Sequence, residues 1–208
     1  MITPEAFVKD IERYLDENEI CIEDITFDNV DYDNNEKLFW SNDIFDFFYG
    51  ATRGCFVPAY PSYTPSFVMK FDFDGLWEKY CETEVQFYKD AVKEGLEKCF
   101  ASITKFDKIG NTWLYKAEYV DEPYRYDGTL LSKEECDEIK SYTEERCGTS
   151  VDIIWANQFI QYYGKDIYGK FLNFITSHGI NDLNLSNIGY KKGRPIVLDY
   201  AGYFESIS

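Results

Sequence analysis

A long helical pattern held between two strand patterns constrains this chain more than any other feature. Residues 76 to 100, "LWEKYCETEVQFYKDAVKEGLEKCF", set Trp77, Cys81, Tyr88, Ala91, Val92 and Cys99 on one stripe at helical spacing. Glu84 falls inside that stripe. Upstream, "PSYTPSFVMKFDFDG" alternates with period two: Phe67, Met69, Phe71 and Phe73 take one face, and Val68, Lys70 and Asp72 take the other. Downstream, "NTWLYKAEYVDEPY" reads as a strand running into a polar, proline-bearing connection.

The rest of the chain sorts around that unit. Thr3, Pro4 and Glu5 mark a helix start, and Phe7, Ile11 and Tyr14 recur at helical spacing to about Glu17, which predicts a lid or brace. From Glu19 to Val57, short runs such as "EICIEDITF" and "KLFWSN", broken by "DNVDYDNNE", read as strands and turns. Beyond residue 130 helical patterns take over. "SKEECDEIKSYTEERCG" opens on a Ser132 cap with Glu135 three places on and closes at Gly148, and "SVDIIWANQFIQYY" and "DIYGKFLNFITSHG" follow. A last run, Ile196 to Leu198 after Pro195, ends abruptly at Asp199. Strands with one long helix, then helices, then a loop and strand pair predict an α+β protein in two parts, residues 1–120 and a mostly helical 121–208, divided near "DEPYRYDG".

Composition narrows the partners. Thirty-eight acidic against 21 basic residues give a formal charge of -17, with the acids spread along the chain. A nucleic-acid backbone would be repelled, because affinity for it comes from Lys and Arg displacing counterions; a basic protein surface or a metal-complexed anion suits this charge, and so does plain solubility. The six cysteines lie far apart with no C-x-x-C pair, and one histidine is too few to help them bind zinc, so reduced, mostly packed thiols in a cytoplasmic protein are expected. The first residues carry charges and no long apolar run, which predicts neither a signal peptide nor a membrane span.

Lys70 on a strand, Glu84 on the next helix, Asp182 and Asn187 in a loop and Asp199 after the last strand form a set in chain order. Transfer of a phosphoryl or nucleotidyl group from a Mg-bound nucleotide uses such a set. A lysine holds phosphate oxygens, a glutamate fixes the lysine, an Asn and an Asp bind the hard cation through oxygen, and an Asp directs the acceptor hydroxyl. Singly, these residues also suit plainer roles. Asp182 and Asn187 can cap a loop, Lys70 can snorkel from a strand edge, and Glu84 can meet water at the margin of its stripe. Gly50 and Gly54 can be turn residues, and His178-Gly179 an ordinary helix stop.

From about residue 45 onward the chain resembles the protein-kinase-like superfamily, which includes protein kinases and small-molecule kinases of the aminoglycoside-phosphotransferase type. "FVMK" resembles the third-strand lysine motif, which makes Lys70 the phosphate-contacting lysine and Val68 a residue beneath the adenine. Glu84 in "ETEVQFY" would be the ion-pair partner of Lys70, and "YKAEYVDE" the hinge whose backbone around Glu118 to Val120 meets the adenine. "DLNLSN" resembles the catalytic loop, with Asp182 as base and Asn187 as metal ligand, and "LDYAG" resembles D-F-G, with Asp199 as metal ligand. "YGATRGCFV", with Gly50 and Gly54, is a thin version of the glycine-rich loop.

The resemblance implies a two-lobed fold with a reduced helical C-terminal lobe, ATP and Mg²⁺ as ligands, and phosphoryl or nucleotidyl transfer to an acceptor. Besides the thin glycine loop, three departures bear on function. "HGIND" lacks the arginine of H-R-D that reads a phosphorylated activation loop, "DYAG" sets its glycine one place late, and the chain ends at Ser208, soon after Asp199. A minimal or truncated member, of phage or mobile-element size, is therefore expected, with the acceptor platform supplied by a protein partner or a homodimer, or with an acceptor small enough to need none. A pseudokinase interaction module and an acidic inhibitor of a basic surface are the competing expectations.

Overall fold

The computed structural model describes residues 2–26, 42–49, 52–60, 65–75, 79–120, 122–123, 131–147, 151–181, 183 and 187–201. The chain is α+β, as the segregation of strand and helix patterns predicts. It divides into two compact units, Met1–Val85 with Ile103–Tyr119, and Gln86–Ser102 with Val120–Ser208. Of the three crossings, the one at Tyr119/Val120 adjoins the expected division, the one at Val85/Gln86 runs through the long helix, and the third falls at Ser102/Ile103.

The first unit is built on a five-stranded antiparallel sheet of β1 (Phe45–Tyr49), β2 (Arg53–Pro58), β3 (Phe67–Asp72), β4 (Ile103–Ile109) and β5 (Thr112–Glu118), in the order β1-β2-β3-β5-β4. Helix α1 (Pro4–Glu17) starts where Thr3 Oγ1 accepts from the amide of Ala6 at 3.2 Å, with Pro4 in the first turn. Its apolar stripe of Phe7, Val8, Ile11 and Leu15 is buried in one cluster with Phe45, Phe47, Phe56, Phe67, Met69 and Phe71, so the helix is a brace on the sheet. Rings meet edge-on in this cluster, as with Phe45 and Phe56 at 4.9 Å, and stacked, as with Phe56 and Phe71 at 5.4 Å.

Two local expectations change. "EICIEDITF" is not a strand: Ile22–Asp24 forms a 3₁₀ turn, whose three-residue repeat drops Ile22 and Ile25 together into the α1 cluster. The long helix is also shorter than its stripe. Helix α2 runs over Tyr80–Lys93, the amides of Gly95 and Leu96 close it on the carbonyls of Val92 and Ala91, and Glu97–Cys99 continues as a 3₁₀ turn. Gly95 sits at φ 72°, the left-handed position that a double-bonded helix end requires. Val92, expected in the buried stripe, is 50% exposed.

The second unit holds α3 (Lys133–Glu144), α4 (Ile153–Tyr163) and α5 (Lys165–Ser177), with a sheet of β6 (Glu122–Pro123), β7 (Ile188–Lys191) and β8 (Arg194–Val197). The predicted capping box is present at α3: the Glu135 amide donates to Ser132 Oγ at 3.2 Å, and the Ser132 amide donates to Glu135 Oε2 at 2.8 Å. Its core is aromatic, with Trp155, Phe159, Tyr168, Phe171 and Phe174 all buried. The segment after α2 belongs here because Phe100 bridges Val197, the Ala101 amide donates to the Val197 carbonyl at 2.8 Å, and Tyr200 Oη donates to the Ala101 carbonyl at 2.8 Å. Lys192 (φ 53°) and Gly193 (φ 74°) form a two-residue turn with both angles positive, the geometry that matches the twist of the β7–β8 hairpin.

Helix α1 ends on the same double-bonded arrangement as α2, with the Glu19 and Ile20 amides donating to the carbonyls of Asp16 and Leu15, but its left-handed residue is the exposed Glu19 at φ 55°. A side chain is strained there. Replacing it, Glu19→Gly, is expected to raise the unfolding free energy by about 0.5–1 kcal/mol, read from urea denaturation, although glycine costs unfolded-chain entropy. A loss of stability would contradict the strain.

Candidate functional site

Strand β3 is central in its sheet and covered on both faces. Phe67, Met69, Phe71 and Phe73 turn into the α1 cluster, as their alternation predicts. The opposite face is not the open one its polarity suggests, since Val68 is 7% and Asp72 9% exposed. Helix α2 covers it: the Cys81 amide donates to Asp72 Oδ1 at 3.0 Å, and Glu84 reaches Lys70 one turn further along.

Glu84 is fully buried, yet charged neighbours meet both of its oxygens. Lys70 Nζ lies 3.1 Å from Oε2, and Arg53 Nη1, from the start of β2, lies 3.0 Å from Oε1. The Lys70 and Arg53 side chains are 15% and 16% exposed, so their heads stand at the border between the carboxylate and solvent. Register explains the meeting. Arg53 pairs with Asp72 and Cys55 with Lys70, which sets Arg53 and Lys70 on one face of adjacent strands, diagonal to each other. The Tyr80 ring lies 5.4 Å from the Arg53 guanidinium carbon and restricts it further. Burial pushes the Asp72 carboxyl above the ordinary carboxylate range, with Arg53 pulling the other way. Burial likewise drives the Cys81 thiol well above its usual value, so it is no nucleophile.

The other expected residues fall into two groups. In the first unit, Val68 pairs with Ala117 and Phe67 with Glu118 across β3 and β5, which sets Val68 and Glu118 on neighbouring strands; Val120, the first residue of the second unit after β5, is half-buried. In the second unit, Asn187 and Asp199 come to one end of the β7–β8 hairpin, because the Leu198 amide donates to the Asn187 carbonyl at 2.8 Å just beyond the Ile188–Val197 pair. Asp199 is half-buried and its Oδ1 is shielded from solvent. Asp182 and Gly50 lie outside the described residues.

Gly54 is neither a turn nor an open loop residue. It lies inside β2, and a Cβ there would meet the Phe71 ring at 2.5 Å and the Phe47 ring at 2.9 Å, so the packing of two core aromatics requires glycine. His178 caps α5 as expected of a helix stop. Its Nδ1 donates to the Phe174 carbonyl at 2.9 Å, its ring stacks on Phe174 at 4.0 Å, and Nε2 lies 3.8 Å from Asp90. No disulfide joins the six cysteines, and Cys81, Cys99 and Cys147 are buried. Among the described residues no three His, Cys, Asp or Glu side chains form a metal-binding group, and no helix is long and apolar enough to cross a membrane.

A cavity of about 230 Å³ in the first unit has none of the expected site residues in its lining, although Asp72 and Tyr115 there pair across the sheet with Arg53 and Lys70. Its lining includes Asp72, Asp74 and Glu82 with Lys79, Trp113 and Tyr115, an acidic surround that disfavours phosphate. Sequence reasoning missed Arg53, although the quoted "YGATRGCFV" contains it. Its signal was a lone cation within that stretch. Compared with known proteins, the chain matches no family model, no curated protein and no solved structure.

The three-member ion cluster makes its members unequal. Glu84→Ala removes the carboxylate from between two cations and is expected to cost about 3–5 kcal/mol, as loss of a buried partner does. Lys70→Met leaves Glu84 with Arg53 and is expected to cost clearly less in the same urea denaturation series. Equal costs would show that Arg53 contributes nothing to Glu84.

Proposed function

We propose that the protein is a minimal kinase-like protein that binds Mg-ATP and transfers a phosphoryl or nucleotidyl group to an acceptor. The observation that carries this reading is the contact of Lys70, on the third strand of an antiparallel sheet, with buried Glu84 on the helix that follows it. That strand lysine and helix glutamate pair is the element that holds nucleotide phosphates in protein kinases. Support also comes from the convergence of Asn187 and Asp199 at one end of a hairpin. Two oxygen donors of this kind fit Mg²⁺, which keeps several waters and takes its remaining ligands from substrate phosphates. The two-lobed arrangement, with a sheet-based lobe and a reduced helical lobe, is part of the same proposal.

In this reading Lys70 holds phosphate oxygens in a geometry that Glu84 maintains, and Val68 with the backbone around Glu118 to Val120 borders the adenine. Asn187 and Asp199 would hold Mg²⁺, which when bound neutralises charge on the phosphates. Asp182 directs the acceptor hydroxyl and accepts its proton. Rate enhancement then comes from positioning and charge stabilisation, the terms that dominate phosphoryl transfer.

Calorimetric titration of ATP with and without Mg²⁺ tests the reading. The wild type is expected to bind ATP in a Mg²⁺-dependent manner, and both Lys70→Ala and Asp199→Ala to weaken binding by roughly tenfold or more. Asp182→Asn is expected to retain ATP while losing transfer. Absence of ATP binding by the folded wild type contradicts the proposal.

A further inference from the structure

We infer that Arg53 is a second phosphate-contacting cation of this site, held in place by the carboxylate that holds Lys70. The inference rests on the nucleotide reading for the ligand's identity and on the ion cluster for its geometry. Arg53 and Lys70 stand on the same face of adjacent strands, and each takes one oxygen of Glu84. A single carboxylate therefore fixes both heads within the span of one polyphosphate. Glu84 cannot turn toward one cation without releasing the other, so it orients the two together.

The chemistry of the two heads suits the task. A guanidinium carries five N–H donors and an ammonium three, so each can hold a Glu84 oxygen and a phosphate oxygen at once. The guanidinium fork also matches the spacing of phosphate oxygens, which a point charge does not. Both side chains retain 15–16% exposure beside a fully buried Glu84, so an anion arriving from solvent meets the cations and not the carboxylate.

The thin glycine loop supplies the reason for an arginine here. In protein kinases a glycine-rich loop covers the phosphates with its backbone. In this chain Gly54 lies beneath Phe71 and Phe47 inside β2, where core packing accounts for it. Arg53 is the residue before it, at the point where the loop enters the strand. A side-chain donor there takes over contacts that backbone donors make in a richer loop. The ligand class that follows is a di- or triphosphate, long enough to span both heads.

Titration of tripolyphosphate, ATP and adenosine into wild type, Arg53→Ala and Arg53→Lys tests the inference, with circular dichroism confirming that each variant is folded. Arg53→Ala is expected to weaken tripolyphosphate and ATP by roughly ten- to hundredfold and to leave adenosine unchanged. Arg53→Lys, which keeps the charge against Glu84 but loses the fork, is expected to fall between. If Arg53→Ala binds ATP and tripolyphosphate as the wild type does, or if adenosine weakens in step with them, the inference is overturned while Mg-ATP binding through Lys70 can still stand. Tripolyphosphate bound through Arg53 with no gain from the adenosine moiety upholds the inference and defeats the nucleotide reading. A wild type that binds neither tripolyphosphate nor ATP defeats both.

Discussion

A carboxylate without solvent exposure sits between two strands and a helix, and the arrangement of the first unit follows from the need to neutralise it. Glu84 has 0% exposure. Left alone it would cost several kcal/mol, so the helix that carries it must lie where cations can reach both oxygens. Lys70 and Arg53 meet that need only if β2 and β3 pair in the observed register, because a slip of one residue between the strands would leave the two side chains on opposite faces. The opposite face is filled by the aromatic cluster beneath α1, which has no room for a charge. One ion cluster thus links strand register, helix placement and the glycine at position 54.

Such a cluster is an inefficient way to stabilise a fold. Buried ion pairs often contribute less than apolar residues of the same size, since desolvation offsets attraction. The aromatic cluster already supplies the driving force for the unit, with Phe7, Phe45, Phe56 and Phe71 all at 0% exposure. Under the proposed nucleotide reading, two cations held on one carboxylate, with their heads at the border of solvent, would be a prepared anion site whose reorganisation is completed in folding. The acidity of the whole chain adds a condition. With a formal charge of -17, a polyphosphate would be repelled at most of the surface, so local positive charge must be concentrated and metal-complexed ligands favoured.

Much of this was legible in the sequence, for identifiable reasons. The α1 brace, the period-two face of β3, the capping box at Ser132 and the helix stop at His178 rest on local patterns whose partners are within a few residues. The Lys70–Glu84 pair was legible through a family resemblance, because the order of motifs stands in for contacts that spacing cannot show. Other features were hidden. The α2 stripe runs on past Gly95 because Leu96 and Cys99 are buried by a 3₁₀ turn and not by helix, so hydrophobic period alone overshoots the end. Ile22 and Ile25 mimic a strand for the same reason. Arg53 pairs with Glu84 across 31 positions, and only the sheet register connects them. Gly54 answers to the rings of Phe71 and Phe47, one on the next strand and one on the strand before.

An acyl-phosphate derivative of ATP tests, at the level of the atom, the proposed contact of Lys70 with nucleotide phosphates. Such a reagent acylates the amine beside the bound phosphates and releases ATP, and peptide mass spectrometry locates the acyl group. The account predicts that Lys70 is the principal site of modification and that excess Mg-ATP protects it. Modification spread over exposed lysines such as Lys93 and Lys140, with Lys70 unmodified or unprotected, would contradict it.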